Sequence, residues 1–425
     1  MYSGSWDMRS SYKKLGPFIR EVKVKNSDLQ VDKLLGVSIT KEFIPSIANT
    51  VGTDMSKYKI VHQNQFAYGP VTSRNGDKIS VALLQEEACI ISTSYTVFEI
   101  VDQQKLLPEY LMMWFRRPEF DRYARYMSHG SVREIFGWDE MCDVELPVPT
   151  IEKQREIVRE YHTIVDRIKL NEQLNQKLEE TAQAIYKQWF VDFEFPMSKE
   201  HATEIGKPEM EGKPYKSGGG KMVWNDELDQ EIPEGWEADS LTKVFTLSGG
   251  GTPKTDIPEY WRNDIPFFTG KDVTTNYYTL STEKSITRLG LSKCSTKLYP
   301  ANTTLVVSRG ATTGVLALSA TEMAMNQSCY AFLGKGDDSF FVHQTMLMIM
   351  GELKRSATGS TFNALVTRDY EEIKTIAPNK THTVCFNKFA ERLYSFSLKK
   401  LEEIGVLRDL LDTLLSKLTK AEATA

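Results

Sequence analysis

Residues 151–193 read IEKQREIVREYHTIVDRIKLNEQLNQKLEETAQAIYKQWFVDF. Steps of four and three residues from Ile157 pass through Tyr161, Ile164, Ile168, Asn171, Asn175, Leu178, Ala182, Ile185 and Trp189, a heptad seam with no proline or glycine to interrupt it. As one helix the stretch would run to roughly 60 Å at ~1.5 Å per residue. Its outer faces carry too much charge for an ordinary buried helix. The seam therefore requires a partner.

The partner lies 229 residues downstream. The same steps pass through Phe386, Ala390, Leu393, Ser397, Lys400, Ile404, Leu407, Leu411, Leu414 and Leu418 without a gap. Asn171 and Lys400, both polar, fall at one repeat position. A buried polar group penalises slipped pairing, so a register-fixing role is read here ahead of a solvated face. Upstream the offset persists, taking Gly130-Ser131 onto Gly359-Ser360 and Pro149 onto Pro378. The chain repeats a unit of domain plus helix.

The expected class is α+β, with two repeated mixed α/β domains separated by a long antiparallel two-helix coiled coil and related by a pseudo-twofold axis. The boundaries are 1–150 for the first domain, 151–195 for the central helix, 196–235 for a linker, 236–378 for the second domain and 379–421 for the C-terminal helix. Antiparallel pairing is the simpler closure, because a parallel pair would need the linker to return ~60 Å along the helix.

Bulk properties bound the function. The 425 residues are 41% hydrophobic and 26% charged, ordinary for a globular multidomain chain. A formal charge of −5 does not suggest a nucleic-acid binder, but five lysines face nine acids between 199 and 235 and the remainder carries only −1, so any basic surface is local. Cys89, Cys142, Cys294, Cys329 and Cys385 are dispersed, odd in number and never paired as CxxC. That argues against a disulfide framework or zinc ribbon and for a reducing cytoplasm. The opening MYSGSWDMRSSYKK lacks an apolar signal core, and no run reaches the ~20 apolar residues of a membrane span.

In the first domain TVFEI (96–100) reads as a strand and EYLMMWFRRPEF (109–120) as a helix stopped near Pro118. Next, Arg122, Arg125 and Arg133, with Arg117 upstream, alternate with Tyr123 and Tyr126 about the flexible Gly130-Ser131. Cations beside aromatics around a turn suit phosphate contact and base-edge reading, and equally suit an exposed helix end. Pro147 and Pro149 keep ELPVPT extended before the helix begins. Residues 196–236 are rich in glycine, proline and acids and read as a linker with a local strand at 221–224.

Further on, Ser308-Arg309 repeats Ser73-Arg74, and Tyr330 repeats Tyr95, at an offset of 235, so the domains read as divergent copies of one fold. Gly310 and Gly314 suit a hairpin turn first and close approach to a ligand second. Arg74 and Arg309 suit a salt bridge or a phosphate contact alike. At the end of the first helix Trp189, Phe190, Phe193 and Phe195 exceed what a two-helix seam covers; they pack on the linker or domains, or dock a partner.

Catalytic patterns are missing. There is no Pro-Pro pair, hence no [DNS]PP[YFW] tetrapeptide of an amino-methyltransferase, and GGGK at 218–221 lacks the Walker A spacing. The six histidines show no HxxxH or HExxH spacing. The chain is read as recognising rather than catalysing, with no catalytic and no metal-ligating residue.

LPVPTIEKQREIV leading into the first helix, WFVDFEFP at its end, GKPYKSGGGKMVWNDELDQEIPEGWE in the linker, and GGGTPKTDIPEYW with DIPFFTGKDV in the second domain resemble, in order and spacing, the specificity subunits of type I restriction-modification systems. The resemblance covers nearly the whole chain. It implies a DNA-binding subunit whose two target-recognition domains each read one half of a bipartite asymmetric site in double-stranded DNA, with the helices setting the spacing. It also implies two modification subunits carrying methyltransferase chemistry and S-adenosylmethionine, and restriction subunits carrying ATP- and Mg-dependent translocation and cleavage. No cofactor is expected in this chain, and a cytoplasmic location away from membranes follows.

Under this resemblance the candidate DNA contacts are Arg74, Arg122, Arg125, Gly130, Ser131, Arg133, Lys271, Arg309, Gly359 and Ser360. The coiled-coil seam centres on Ile164, Ile168, Asn171, Leu178 and Ile185 with Leu393, Lys400, Leu407, Leu411 and Leu414, and Trp189 with Phe190 is the candidate docking site for a partner subunit. The competing reading is a structural coiled-coil scaffold with protein-binding domains.

Overall fold

The structure, a computed structural model, describes residues 12–46, 52–73, 75–130, 133–262, 264–274, 276–356 and 364–418. In chain order its α-helices are α1 (Pro108–Phe115), α2 (Pro118–Met127), α3 (Trp138–Cys142), α4 (Ile151–Phe190), α5 (Lys199–Glu204), α6 (Leu241–Val244), α7 (Arg288–Ser292), α8 (Ser339–Ser356), α9 (Thr367–Glu372) and α10 (Lys380–Lys417). The chain divides into two units, Met1–Lys169 with Gly405–Ala425, and Leu170–Ile404. Both long helices contribute a part to each unit.

In the first unit an antiparallel sheet runs in the order Ile19–Val22, Thr96–Ile100, Gln65–Tyr68, Val81–Leu83. The strand expected at TVFEI lies in its interior. Phe66 stacks on Phe98 with ring centroids 4.8 Å apart, and Phe115 from α1 meets Phe66 edge-on at 5.9 Å. The helix expected to stop near Pro118 ends at Phe115, and Pro118 itself begins α2. At the first helical position its missing N–H removes no hydrogen bond, so one proline both closes α1 and starts the next helix. Ile157 and Tyr161 of α4 and Leu415 and Leu418 of α10 belong to the same apolar core as Phe66 and Phe115. The start of one long helix and the end of the other are thus built into this domain.

The LPVPTIEKQ motif has a local explanation. Thr150 caps α4, its Oγ1 accepting from the Lys153 N–H at 3.4 Å. Gln154, fully buried, accepts from the Leu107 N–H at 2.9 Å and donates to the carbonyls of Lys105 and Pro149, both at 2.9 Å. A buried amide with these partners fixes the angle at which the helix leaves the domain.

In the second unit a five-stranded sheet runs Thr246–Gly249, Cys329–Leu333, Thr304–Val307, Leu316–Ser319, Tyr278–Thr279, parallel only at the last pair. A three-stranded sheet places Ile265–Phe268 between Lys284–Ile286 and Ala324–Met325. The strand pair Glu237–Ser240 with Lys374–Ala377 repeats Tyr12–Lys14 with Glu145–Pro147 of the first unit, and Lys374 follows Glu145 by the offset of 229.

Here α4 and α10 run antiparallel. Tyr394 Oη donates to Glu179 at 3.0 Å, while further along α4 the rings of Tyr186 and Phe190 meet the earlier Phe386 of α10 at 5.9 and 5.3 Å. A third helix covers both: Tyr186 Oη and Thr345 Oγ1 of α8 lie 2.9 Å apart, Phe341 meets Phe190 at 4.7 Å, and Phe340 stacks on Tyr394 at 4.6 Å. The buried stripe is accordingly wider than the heptad seam, taking in Glu179, Tyr186, Phe190 and Tyr394 as well. Asn171, Asn175 and Ser397 are buried, and the Asn175 amide, Asn171 Nδ2 and Ser397 Oγ have no hydrogen-bond partner among the described residues. Such groups weaken a seam while disfavouring other registers. Lys400 is only half-buried and pairs with Glu403 at 2.7 Å. Ile164, Ile168, Leu178, Ile185, Leu393, Leu407, Leu411 and Leu414 are all half-buried.

Residues 196–235 are not a loose linker. They hold α5 and a hairpin of Met222–Asn225 with Gln230–Pro233, where a strand was expected at 221–224. Phe193, Phe195, Met197, Tyr215, Ile232 and Trp236 are buried. Phe195 lies between Tyr215 and Trp236, stacked on both at 4.5 and 5.0 Å. The aromatics at the end of α4 recruit this segment into a core. Phe190, 2% exposed among Trp236, Phe341 and Phe386, is therefore not a surface for docking another subunit. Trp189 stays half-buried, 6.0 Å from Phe386.

Glu179 gives this core a pH dependence. It accepts from Tyr394, from Gln183 at 2.7 Å and from Gln344 of α8 at 3.4 Å. Burial raises its carboxyl above the ordinary value, against those hydrogen bonds, which favour the carboxylate. The folded chain holds this proton more tightly than the unfolded chain, so the stabilisation is full below the unfolded value and is lost as pH rises through the folded one. Glu179→Gln is expected to flatten the decline of the unfolding midpoint as pH rises above the ordinary carboxylate range, measured by urea denaturation. Glu179→Ala, which strands the buried Tyr394 and Gln344, is expected to cost about 2–4 kcal/mol at pH 7.

Candidate nucleic-acid interface

In the first unit the chain leaving α2 turns back across the loop that joins strands Gln65–Tyr68 and Val81–Leu83. The Thr72 N–H donates to the Glu134 carbonyl at 2.9 Å and the Phe136 N–H to the Pro70 carbonyl at 2.8 Å. His129 and Ile135 exchange backbone hydrogen bonds at 3.1 and 2.9 Å, closing the turn on itself. Gly130 has φ +133°, and a Cβ there would lie 2.2 Å from the Arg133 carbonyl oxygen, so this turn accepts only glycine.

The second unit repeats the crossing. The Leu365 N–H donates to the Ser308 carbonyl at 3.0 Å, and Leu365 follows Phe136 by 229 residues. Ser308 therefore takes the place of Pro70, and the offset of 235 that aligned Ser308-Arg309 with Ser73-Arg74 is not kept: Ser308 directly follows its strand, whereas Ser73 lies well beyond Tyr68. A hairpin loop several residues longer in the first domain accounts for the difference. Arg74, Ser131, Gly359 and Ser360 lie outside the described residues.

The arginines of the first unit are largely committed within the chain. Arg117 is buried over the Trp114 ring, 4.3 Å from its centroid. Arg122 projects from α2 and pairs with Glu119 at 3.2 Å. Arg125 meets the Glu134 carboxylate of the crossing turn, a charge contact without the alignment of a hydrogen bond. Tyr123 packs edge-on against Phe136 at 6.2 Å, while Tyr126 is 84% exposed. Arg133 is exposed.

In the second unit Lys271 and Arg309, distant in sequence, line one groove of about 610 Å³ with Thr269, Gly270, Glu283, Lys284, Gly310, Thr312, Asn326 and Ser328. The buried Asp272 builds it. Its carboxylate accepts from the Thr269 N–H and hydroxyl, both at 2.7 Å, and from the Glu283 N–H at 2.7 Å, which tightens the TGKD turn and leaves Lys271 exposed. Thr312 Oγ1 donates to the Gly270 carbonyl at 3.1 Å, tying in the hairpin turn of Arg309. The glycines of SGGGTP serve packing: a Cβ on Gly250 would lie 2.0 Å from the Asn326 carbonyl oxygen. Gly310 and Gly314 have φ +102° and +77° in the hairpin turn between strands Thr304–Val307 and Leu316–Ser319.

Sequence reasoning missed Lys284 and Asn326 of the groove, and a buried ion pair in the first unit. Lys41 Nζ lies 2.6 Å from Asp121 of α2 and donates to the Ile79 carbonyl at 3.0 Å, and the same carboxylate oxygen accepts from the Ile79 N–H at 3.1 Å. This pair ties a hairpin turn, the loop that the crossing contacts, and the helix of Arg122 and Arg125. Burial lowers the Lys41 ammonium from its ordinary value, against Asp121, which raises it. A single lysine in a loop carries no periodicity that would mark it as buried.

A family model described as the type I restriction modification DNA specificity domain matches residues 36–180 and 233–404. The type I restriction enzyme MjaIX specificity subunit of Methanocaldococcus jannaschii is 26% identical over 345 residues, which make up 78% of this chain and 73% of the relative. The HindI specificity subunit of Haemophilus influenzae is 25% identical over 86% of this chain and 87% of its own length. Among solved structures, the type I restriction-modification system S subunit from M. genitalium matches with a TM-score of 0.56 at 12% identity over 96% of this chain and 95% of that one, a likeness of fold.

Breaking the buried pair tests how the first interface is held. Lys41→Met leaves the Asp121 carboxylate without its cation and is expected to lower stability by about 3–5 kcal/mol, measured by urea unfolding. The double change Lys41→Met with Asp121→Leu is expected to recover most of that loss, since it leaves no buried charge behind.

Proposed function

We propose, from the premise that this chain belongs to the type I restriction-modification DNA specificity family, that its two recognition domains read the two unlike halves of one split DNA sequence. The observation that supports this is the duplicated backbone crossing, Phe136 on Pro70 and Leu365 on Ser308, which brings the chain back against a hairpin loop at matching positions in each unit. The scaffold is common to both copies and the side chains on it are not. Related modules with different side chains are the asymmetric counterpart of a dimer on a palindrome. As a specificity subunit the chain works with the other subunits of its restriction-modification system.

The finer assembly follows the same logic. Two modification subunits supply methyl transfer and bind S-adenosylmethionine, restriction subunits supply ATP- and Mg-dependent translocation and cleavage, and this chain recognises without catalysing. The long helices set the distance between half-sites. Such a complex acts on DNA in the cytoplasm.

Three experiments test this. The chain is co-expressed with its modification subunits and modified adenines are mapped across a host genome; the expected outcome is one split sequence. Replacing residues 236–378 by those of a relative, with Gln344 and Thr345 retained, is expected to change one half of that sequence only, and a change in both halves refutes modular reading. Inserting one heptad into each long helix adds roughly 10 Å, and is expected to lengthen the gap between half-sites by about 3 base pairs.

A further inference from the structure

We propose that the two recognition domains hold the DNA backbone unequally, with the groove of Lys271, Lys284 and Arg309 in the second domain as the principal phosphate anchor. The inference rests on the DNA reading above and concerns how that site divides its work. Affinity for duplex DNA comes largely from cations that replace the counterions of phosphates. A cation already paired with a carboxylate within the protein has less to gain from a phosphate.

The two domains differ in this respect. In the first, Arg117 is buried on Trp114, Arg122 is paired with Glu119, and Arg125 is paired with Glu134 on the very turn that carries Gly130, which leaves Arg133 as the one of these four exposed with no acidic partner among the described residues. In the second, neither Lys271 nor Arg309 has an acidic partner among the described residues, and both are exposed on one groove. Lys284 adds a third charge, its Nζ 5.7 Å from the centre of the Trp261 ring, a contact that leaves the ammonium its positive charge. Among the described residues Glu283 on the lining and the buried Asp272 behind the turn stand against three cations, so the groove keeps a net positive charge.

Neutral donors complete it. The groove is also lined by Ser328 and Asn326, whose hydroxyl and amide are of the kind that hydrogen-bond phosphate oxygens without fixing sequence. Asn326 Oδ1 accepts from the Ser328 N–H at 3.0 Å, which orients the amide. The Asp272 and Thr312 bonds hold the Lys271 and Arg309 turns together before any DNA arrives. A charge pair on a preformed groove loses less freedom on binding than one on separate loops.

The test is the salt dependence of DNA binding by the full chain in complex with its modification subunits, on a duplex carrying the mapped sequence, from 50 to 300 mM KCl. Each phosphate contact contributes about 0.9 to the slope of log K against log salt. Lys271→Gln with Arg309→Gln is expected to reduce the slope by about 2 and weaken binding by roughly one to two powers of ten at 0.1 M salt. Arg122→Gln with Arg125→Gln is expected to leave the slope within about 0.5 of the parent. The charge-keeping pair Lys271→Arg with Arg309→Lys is expected to retain the parent slope, which separates loss of charge from loss of fold. Equal reductions from both Gln pairs, or a larger one from the α2 pair, overturn the unequal division. A parent complex whose binding ignores salt overturns the DNA reading itself.

Discussion

Two helices of about forty residues cannot cover their apolar faces with each other alone, and the rest of the molecule follows from that limit. A two-helix seam hides a narrow stripe on each partner. Here the stripe is wider, because each domain supplies a third surface. In the first unit Ile157, Tyr161, Leu415 and Leu418 join the core that holds Phe66 and Phe115. In the second, Phe340, Phe341 and Thr345 of α8 close over Tyr186, Phe190 and Tyr394. Within each unit the helices are therefore a wall of that unit's own core, and in the first unit Gln154 fixes the angle at which α4 leaves the domain.

How much of this was legible in the sequence depends on the range of the interaction concerned. The repeat at 229 and the heptad seam rest on periodicity, which survives divergence because it records which face is buried, and the antiparallel pairing rests on the distance a linker would otherwise have to span. Glu179, Tyr186 and Phe190 lie off the seam, and they are buried by neighbours that include α8, distant in sequence and carrying no periodicity shared with α4. The acidic, glycine-rich composition of 196–235 suggested a linker, but composition does not show that Phe195, Tyr215 and Trp236 stack. Pro118 was legible as a break and not as a beginning, since a proline suits either side of a helix boundary. The site was legible only in part. Lys271 and Arg309 were named separately, while their convergence depends on Asp272 and Thr312 bridging loops far apart in sequence. Lys41 and Asp121 gave no sign at all.

The two domains show which features divergence preserves. One backbone hydrogen bond at the crossing, Phe136 to Pro70 and Leu365 to Ser308, is retained, whereas the hairpin loops beneath differ in length and the charged residues differ in number and pairing. A scaffold held by main-chain contacts tolerates change in the side chains it presents, because those contacts do not depend on side-chain identity.

Glu179 carries a consequence for inheritance. It sits on α4, yet its partners lie on three helices, with Gln183 beside it, Tyr394 on α10 and Gln344 on α8 inside the second domain. A lineage that acquired a foreign second domain by recombination would import a new residue at position 344 against an old carboxylate at 179. Only donors carrying a hydrogen-bonding group there would fold well at once. The pool of exchangeable modules is thus filtered by one buried acid before any question of which DNA they prefer.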